Sequence, residues 1–163
     1  HHENSIYDPI TTVLNKRTLV EVGNRVLGVA LRYTKPVSLL TIEVTNLNEV
    51  IDAYGIKVGN ELLRHFALMA SDRRRNEDVL ARSGPKTFHM LLPGVDEIGS
   101  QIVLKKIKDS LGSEEYVYRG NIIKVQVAIA IITKREEELH LQQMLQEGDV
   151  ELLRVKTATL ALS

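Results

Sequence analysis

The stretch "LARSGPKTFHMLLPG", residues 80–94, reads as strand, tight turn, strand, and a turn between two strands is a natural seat for chemistry. Its tip, Gly84, Pro85, Lys86 and Thr87, is either a working site or one that has lost its chemistry. Gly84 lets backbone come close to a ligand, whereas Pro85 has no N–H to donate and its ring obstructs the approach. Lys86 can hold a phosphate without a metal, although a turn lysine is ordinarily just solvated. His65 and His89 have no second histidine or carboxylate at metal-ligand spacing, so packing or solvent roles are expected of both. The 163 residues include no cysteine, which excludes disulfides and thiolate metal sites.

The hydrophobic pattern supplies the elements that must hold this turn. Residues 15–33 carry Leu19, Val22, Val26, Val29 and Ala30 at helical spacing, with Asn15 as N-cap. Residues 37–45, "VSLLTIEVT", read as a buried strand. A core-facing helix spans 59–75, with Leu62, Leu63, Phe66, Met69 and Ala70 on one face and a basic end. The hairpin strands follow near 79–83 and 88–92. Then comes an amphipathic helix over 96–111, with Ile98, Ile102, Leu104, Ile107 and Leu111 inward. "EYVYRG" and "IIKVQVAIAII" read as strands joined at Gly120-Asn121. A last helix covers 136–156, its "KREEEL" start solvated, and "TATLALS" reads as a closing strand. The fold class is therefore α/β in the α+β sense. A central, mostly antiparallel sheet with a β-α-β-β-α-β core is flanked by helices.

Lys plus Arg equals Asp plus Glu, 21 each, so no overall field draws the chain to a nucleic acid polymer or to a membrane surface. No apolar run approaches the roughly 18 residues of a membrane span. His1 and His2 read as a tag remnant. Residues 1–5 are then tag and linker, and 6–163 one domain of a longer multidomain protein.

Three blocks, in order, carry a resemblance. "DPITTVLNKR", residues 8–17, is similar to DxLTGLxNRR. "IEVTNLNEVIDAYGIKVGNELL", residues 42–63, resembles LDLDxFKxINDxYGHxxGDxLL. "ARSGPKTFHMLLPG" stands where ARxGGDEFxxLLP is found. Together they resemble the GGDEF domain, the catalytic domain of diguanylate cyclases, over nearly the whole chain. The palm-like sheet of that family agrees with the element order read above.

The resemblance implies a family site in which carboxylates hold two magnesium ions and two GTP-loaded domains make cyclic di-GMP. Measured against it, Pro85 replaces the second glycine, Lys86 the aspartate and Thr87 the glutamate. Glu43 and Thr45 replace the two upstream aspartates, and Ile51 and Asn60 stand where an asparagine and an aspartate read guanine. The GRN tail is missing, although Lys156 remains. A catalytically inactive domain without cofactor is expected, since losing one catalytic donor already costs on the order of a hundredfold.

The resemblance also implies a second site. Many GGDEF domains carry RxxD five residues ahead of the first glycine, where it binds cyclic di-GMP as an inhibitor. Here Arg75 and Asp78 match that pattern, and the five residues from Val79 to Ser83 separate Asp78 from Gly84. A guanidinium offers a planar fork to phosphate or guanine, and a carboxylate accepts from the guanine N1 and N2 side. Of Lys105, Lys106 and Lys108, Lys106 aligns best with an arginine the family often adds. The expected ligand residues are thus Arg75, Asp78 and Lys106; the plain alternative is a basic helix end solvated beside an acid. The function expected is that of a cytoplasmic cyclic di-GMP receptor in bacterial second-messenger signalling, with neighbouring domains of the same chain, or a second copy as homodimer, for partners. The alternative is a ligand-free module that dimerises or positions a neighbouring domain.

Overall fold

A computed structural model describes residues 5–136 and 138–162; His1 and His2, for which a tag remnant is expected, Glu137 of the charged run and Ser163 lie outside the described residues. In chain order the elements are β1 (Leu14–Asn15), α1 (Lys16–Arg32), β2 (Val37–Val44), α2 (Leu47–Tyr54), α3 (Ile56–Arg73) and the hairpin β3 (Val79–Gly84) and β4 (Thr87–Pro93). They continue with α4 (Glu97–Ser113), β5 (Tyr116–Tyr118), β6 (Asn121–Ile123), β7 (Val127–Lys134) and α5 (Leu141–Leu162).

The main sheet has the order β1-β3-β4-β2-β7. Its β1–β3 pair is parallel and the rest antiparallel. All eight residues of β2 are buried, as a central strand covered on both faces demands. Alternation then sends Leu40, Ile42 and Val44 to a core with α2, α3 and α4, built around Phe66 and Phe88, whose rings lie 5.0 Å apart. Val37 and Leu39 face the other way, into a core with Leu19, Leu27 and Leu31 of α1 and Leu141, Met144 and Leu145 of α5.

Helix α1 begins where expected because Asn15 Oδ1 accepts from the Thr18 backbone N–H at 3.0 Å. Its buried stripe is Leu19, Gly23, Leu27, Ala30 and Leu31, which leaves Val22 and Val26 half-buried and Val29 exposed. Helix α3 buries all five residues assigned to its inner face. On α4 Ile107 is buried, but Ile98 and Ile102 are exposed at 74% and 52%. That helix touches the core mainly through its middle and second half.

Three expectations need correction at the C-terminal side. The run 122–132 is two strands, because Asn46 occupies the backbone between them: its Nδ2 donates to Lys124 O at 2.7 Å and its Oδ1 accepts from Gln126 N at 3.0 Å. Strands β5 and β6 therefore form a separate hairpin. Its turn is Arg119-Gly120, both at positive φ (49° and 80°), as a primed two-residue turn requires. The last helix starts at Leu141 rather than near 136, since its first N–H is capped from α1 by Asn24 Oδ1 at 2.9 Å. It then runs through "TATLAL" to Leu162, so the closing strand is absent; Ala and Leu favour helix over strand there. No helix among the described residues is long and apolar enough to cross a membrane.

Candidate functional site

The β3–β4 hairpin has two ends, and the residues singled out by sequence lie at both. At the tip, Gly84 pairs with Thr87 and the register shifts between Arg82 and Gly84. Neither Pro85 nor Lys86 has a positive φ, so the turn is not of the primed kind and the bulge at Ser83 absorbs the twist. Pro85 suits the first corner, where its fixed φ is preset. Arg82 Nη2 donates to Pro85 O at 2.6 Å, and Val44 N donates to Lys86 O at 2.8 Å, so the tip is tied down on two sides.

Arg82 also meets Asp8, from the entry motif, with Nη1 3.3 Å from Oδ2. Burial pushes the Asp8 carboxyl up, but the Thr11 backbone N–H, the Thr11 hydroxyl and the Arg82 guanidinium outweigh it and hold it below its ordinary range. A recess of about 330 Å³ beside the tip is lined by these two residues with Ser83, Gly84 and Pro85.

Glu43 faces the α5 side of β2, between Thr87 and Ala128 in the neighbouring strands. It is 8% exposed, and Lys156 of α5 reaches it: Nζ lies 3.1 Å from Oε1 and 2.9 Å from Oε2. Thr45 gives its hydroxyl to Gln126 O at 3.2 Å, part of the break before β7. Ile51 packs tightly on the interhelical Gly59, where an added Cβ would lie 2.5 Å from Ile51 Cγ1. An apolar side chain thus fills the α2–α3 contact.

One layer further in, His89 sits on β4, opposite Ala81 and Thr41. Its Nδ1 lies 2.5 Å from Ser83 Oγ and its Nε2 is buried without a hydrogen-bond partner. Burial first, then the Lys16 ammonium, lowers its pKa from 6.5 to about 4. A packing role holds for this residue.

At the base, Arg75 and Asp78 form a turn closed on itself. The backbone N–H of Arg75 donates to Asp78 Oδ2 at 2.8 Å, and Asp78 N donates to Arg75 O at 3.1 Å. The guanidinium grips the same carboxylate, with Nη2 2.7 Å from Oδ1 and Nε 3.1 and 3.2 Å from the two oxygens. Nη2 also donates to Pro93 O at 2.9 Å, which fastens the turn to the end of β4. The Asp78 side chain is 3% exposed and that of Arg75 46%. The hydrogen bond that Arg75 donates to Asp78 is the main reason that the Arg75 pKa is raised. Both residues line a groove of about 1770 Å³ between α1 and α3, together with Val29, Tyr33, Leu68 and Arg74. Lys106 is exposed on α4 and is not part of this groove.

Over residues 5–160 the chain matches the sequence model of the diguanylate cyclase, GGDEF domain family. The chain belongs to the GGDEF family. The diguanylate cyclase DosC of Escherichia coli K12 is 29% identical to it over 116 residues, 66% of this chain and 25% of DosC. The uncharacterized protein y4lL of Sinorhizobium fredii is 22% identical over 96% of this chain and 19% of its own length. The chain thus spans about a fifth to a quarter of these curated relatives. Among solved structures, diguanylate cyclase SiaD of Pseudomonas aeruginosa, in complex with its activator SiaC, superposes with a TM-score of 0.87 at 25% identity, covering 96% of this chain and 60% of SiaD. The GGDEF domain of DgcB from Caulobacter crescentus, in complex with c-di-GMP, gives 0.87 at 16% identity, covering 94% and 89%.

This GGDEF domain brings Arg75 and Asp78 together as the spacing suggested, and leaves Lys106 outside their hydrogen-bonded cluster. Two contacts had no signal in the sequence: Asp8 with Arg82, 74 residues apart, and Glu43 with Lys156, 113 apart. Lys156, which remains where the GRN tail is missing, spends its charge on Glu43.

Proposed function

We propose that this GGDEF domain is catalytically inactive and serves as a receptor for cyclic di-GMP, with Arg75 and Asp78 as its main contacts. The observation that carries the reading is the contrast in charge between the two ends of one hairpin. At the base, an exposed guanidinium edge is aimed by a buried carboxylate beside a large groove. The fork takes phosphate or guanine acceptors. The carboxylate accepts from guanine N1–H and N2–H once the ligand draws the arginine outward. The c-di-GMP complex of the DgcB domain, alike in fold, supports the choice of ligand.

Synthesis of cyclic di-GMP calls for magnesium, which wants hard oxygen ligands, chiefly carboxylates and phosphates. The residues present do not fit it. Glu43 already carries the Lys156 ammonium, and Lys86 and Thr87 occupy the tip. Among the described residues no group of three or more His, Cys, Asp or Glu is placed to hold a metal ion. Ile51 gives a guanine edge nothing to bond, and Pro85 removes an amide from the turn.

Titration calorimetry with cyclic di-GMP tests the reading. Binding is expected in the micromolar range or tighter, about −8 kcal/mol. Arg75→Ala removes a charge-assisted contact, worth about 1.5–3 kcal/mol, or roughly ten- to a hundredfold in affinity. No heat at several hundred micromolar overturns it. A ligand-free interaction module then takes its place, a reading that the self-satisfied Arg75–Asp78 turn favours, as does Lys106 lying outside the groove.

A further inference from the structure

Helix α5 is held to the domain by one side. Leu141, Met144, Leu145, Gly148 and Leu152 are buried. Gly148 lies so close to β2 that an added Cβ would come within 2.4 Å of Thr41 Oγ1, and Lys156 is tied to Glu43. The roll of the helix is therefore fixed, and so is the side it turns outward. That side carries Val150, Leu153 and Leu160, exposed at 64%, 65% and 75%, with exposed Thr157 in line.

We propose that this outward face is a seam for a second copy of the chain, joined as a short parallel two-helix coiled coil. The steps from Val150 to Leu153, Thr157 and Leu160 are three, four and three residues, the a/d alternation of a heptad repeat. Single exposed aliphatics are ordinary, but a line of them at this period on a helix of fixed roll is a packing face. A β-branched Val at an a position followed by Leu at d favours two strands in parallel.

Charge fits the same partner, and the apolar line fits the same orientation. In this register Asp149 is at g and Arg154 at the following e, the two positions that meet between parallel chains. Each copy thus offers an acid to the other's base, twice by symmetry. The antiparallel pairing that sets Val150 against Leu153 of the second copy sets Thr157 against Gln146 and Leu160 against Gln143, so the apolar line no longer meets itself. Arg154 now bonds Glu151 within its own helix at 3.1 Å, 76% exposed, so it is available to be recruited. The seam uses neither Arg75 nor Asp78, and it stands or falls apart from the receptor reading.

The absence of cysteine makes the test clean. The unliganded chain is run by sedimentation equilibrium up to several hundred micromolar, alongside Leu153→Glu and an oxidised Leu153→Cys variant. A monomer–dimer equilibrium is expected, weakened about a hundredfold by Leu153→Glu, since two leucines leave the interface at once. Leu153→Cys should form an intermolecular disulfide, because d positions face each other only when the helices are parallel. Leu153 is solvent-facing, so both variants should keep the wild-type circular dichroism. A strict monomer, a dimer indifferent to Leu153→Glu, or a dimer that Leu153→Cys fails to cross-link each overturns the proposal.

Discussion

The two ends of the β3–β4 hairpin share their strands and differ in what those strands carry. At the base, a cation and an anion lie three residues apart and hold each other, half in solvent, beside a groove. At the tip, a lysine and a threonine stand where the family has acids, and the carboxylate on the neighbouring strand is neutralised by Lys156 of α5. One backbone frame carries quite different side chains at its two ends. Pairing between strands depends on the alternation of apolar residues and on turn geometry, and neither calls for an acid at the tip. A site, by contrast, depends on particular donors within a few tenths of an ångström of each other.

The widest gap between the two ends should appear in catalysis. With GTP and magnesium or manganese, no cyclic di-GMP is expected above background. The comparison breaks if product forms and Glu43→Ala abolishes it. It sharpens if the double change Lys86→Asp with Thr87→Glu also yields none. Each missing donor costs on the order of a hundredfold, and restoring two leaves Ile51, Pro85 and the Lys156 contact in place.

Between the ends lies His89, buried and held well below its ordinary pKa of 6.5, at about 4. The unfolded chain accepts a proton there that the folded chain refuses, so acid favours unfolding. The stability at stake is fully present above pH 6.5, is lost as pH falls from 6.5 towards 4, and changes no further below. Its size is about 3 kcal/mol, from the 1.36 kcal/mol that each pKa unit represents. Urea titrations between pH 7 and 4 should show this loss, and His89→Gln, neutral throughout, should flatten it. If the hairpin unfolds as one rod, protection of the amides at tip and base falls together.

Much of this frame was legible in the sequence. The inner face of α3, the hairpin and its turn follow from local periodicity and turn chemistry, which neighbouring residues decide, whereas α1 buries Gly23, Leu27 and Leu31 in place of the expected Val22, Val26 and Val29. What escaped was decided by distant partners. Asn46 splits the strand before β7 through two backbone bonds to Lys124 and Gln126, and Asn24 starts α5 from another helix. Neither residue stands within seventy positions of the backbone that it bonds. The same holds at the candidate site. Arg75 with Asp78 is a local turn and could be read directly, whereas Lys156 on Glu43 required the packing of α5 across the sheet.

The smallest effect is expected at Lys106, and it tests how far the base site extends. Sequence alignment places Lys106 with Arg75 and Asp78, but the hydrogen bonds that fasten Arg75 go to Asp78 and Pro93, and the groove takes no wall from α4. An exposed lysine outside the groove acts on an anion as a screened point charge on a flexible stem. Lys106→Ala should therefore weaken cyclic di-GMP by no more than about threefold at physiological salt, well under 1 kcal/mol, in line with exposed ion pairs. The residual effect should vanish at high salt, while the Arg75→Ala loss persists because its contact is directional. Calorimetry at two ionic strengths reads both. A tenfold loss on Lys106→Ala that survives high salt would mean that α4 closes over the ligand. The binding site would then be an interhelical pocket rather than the end of a hairpin.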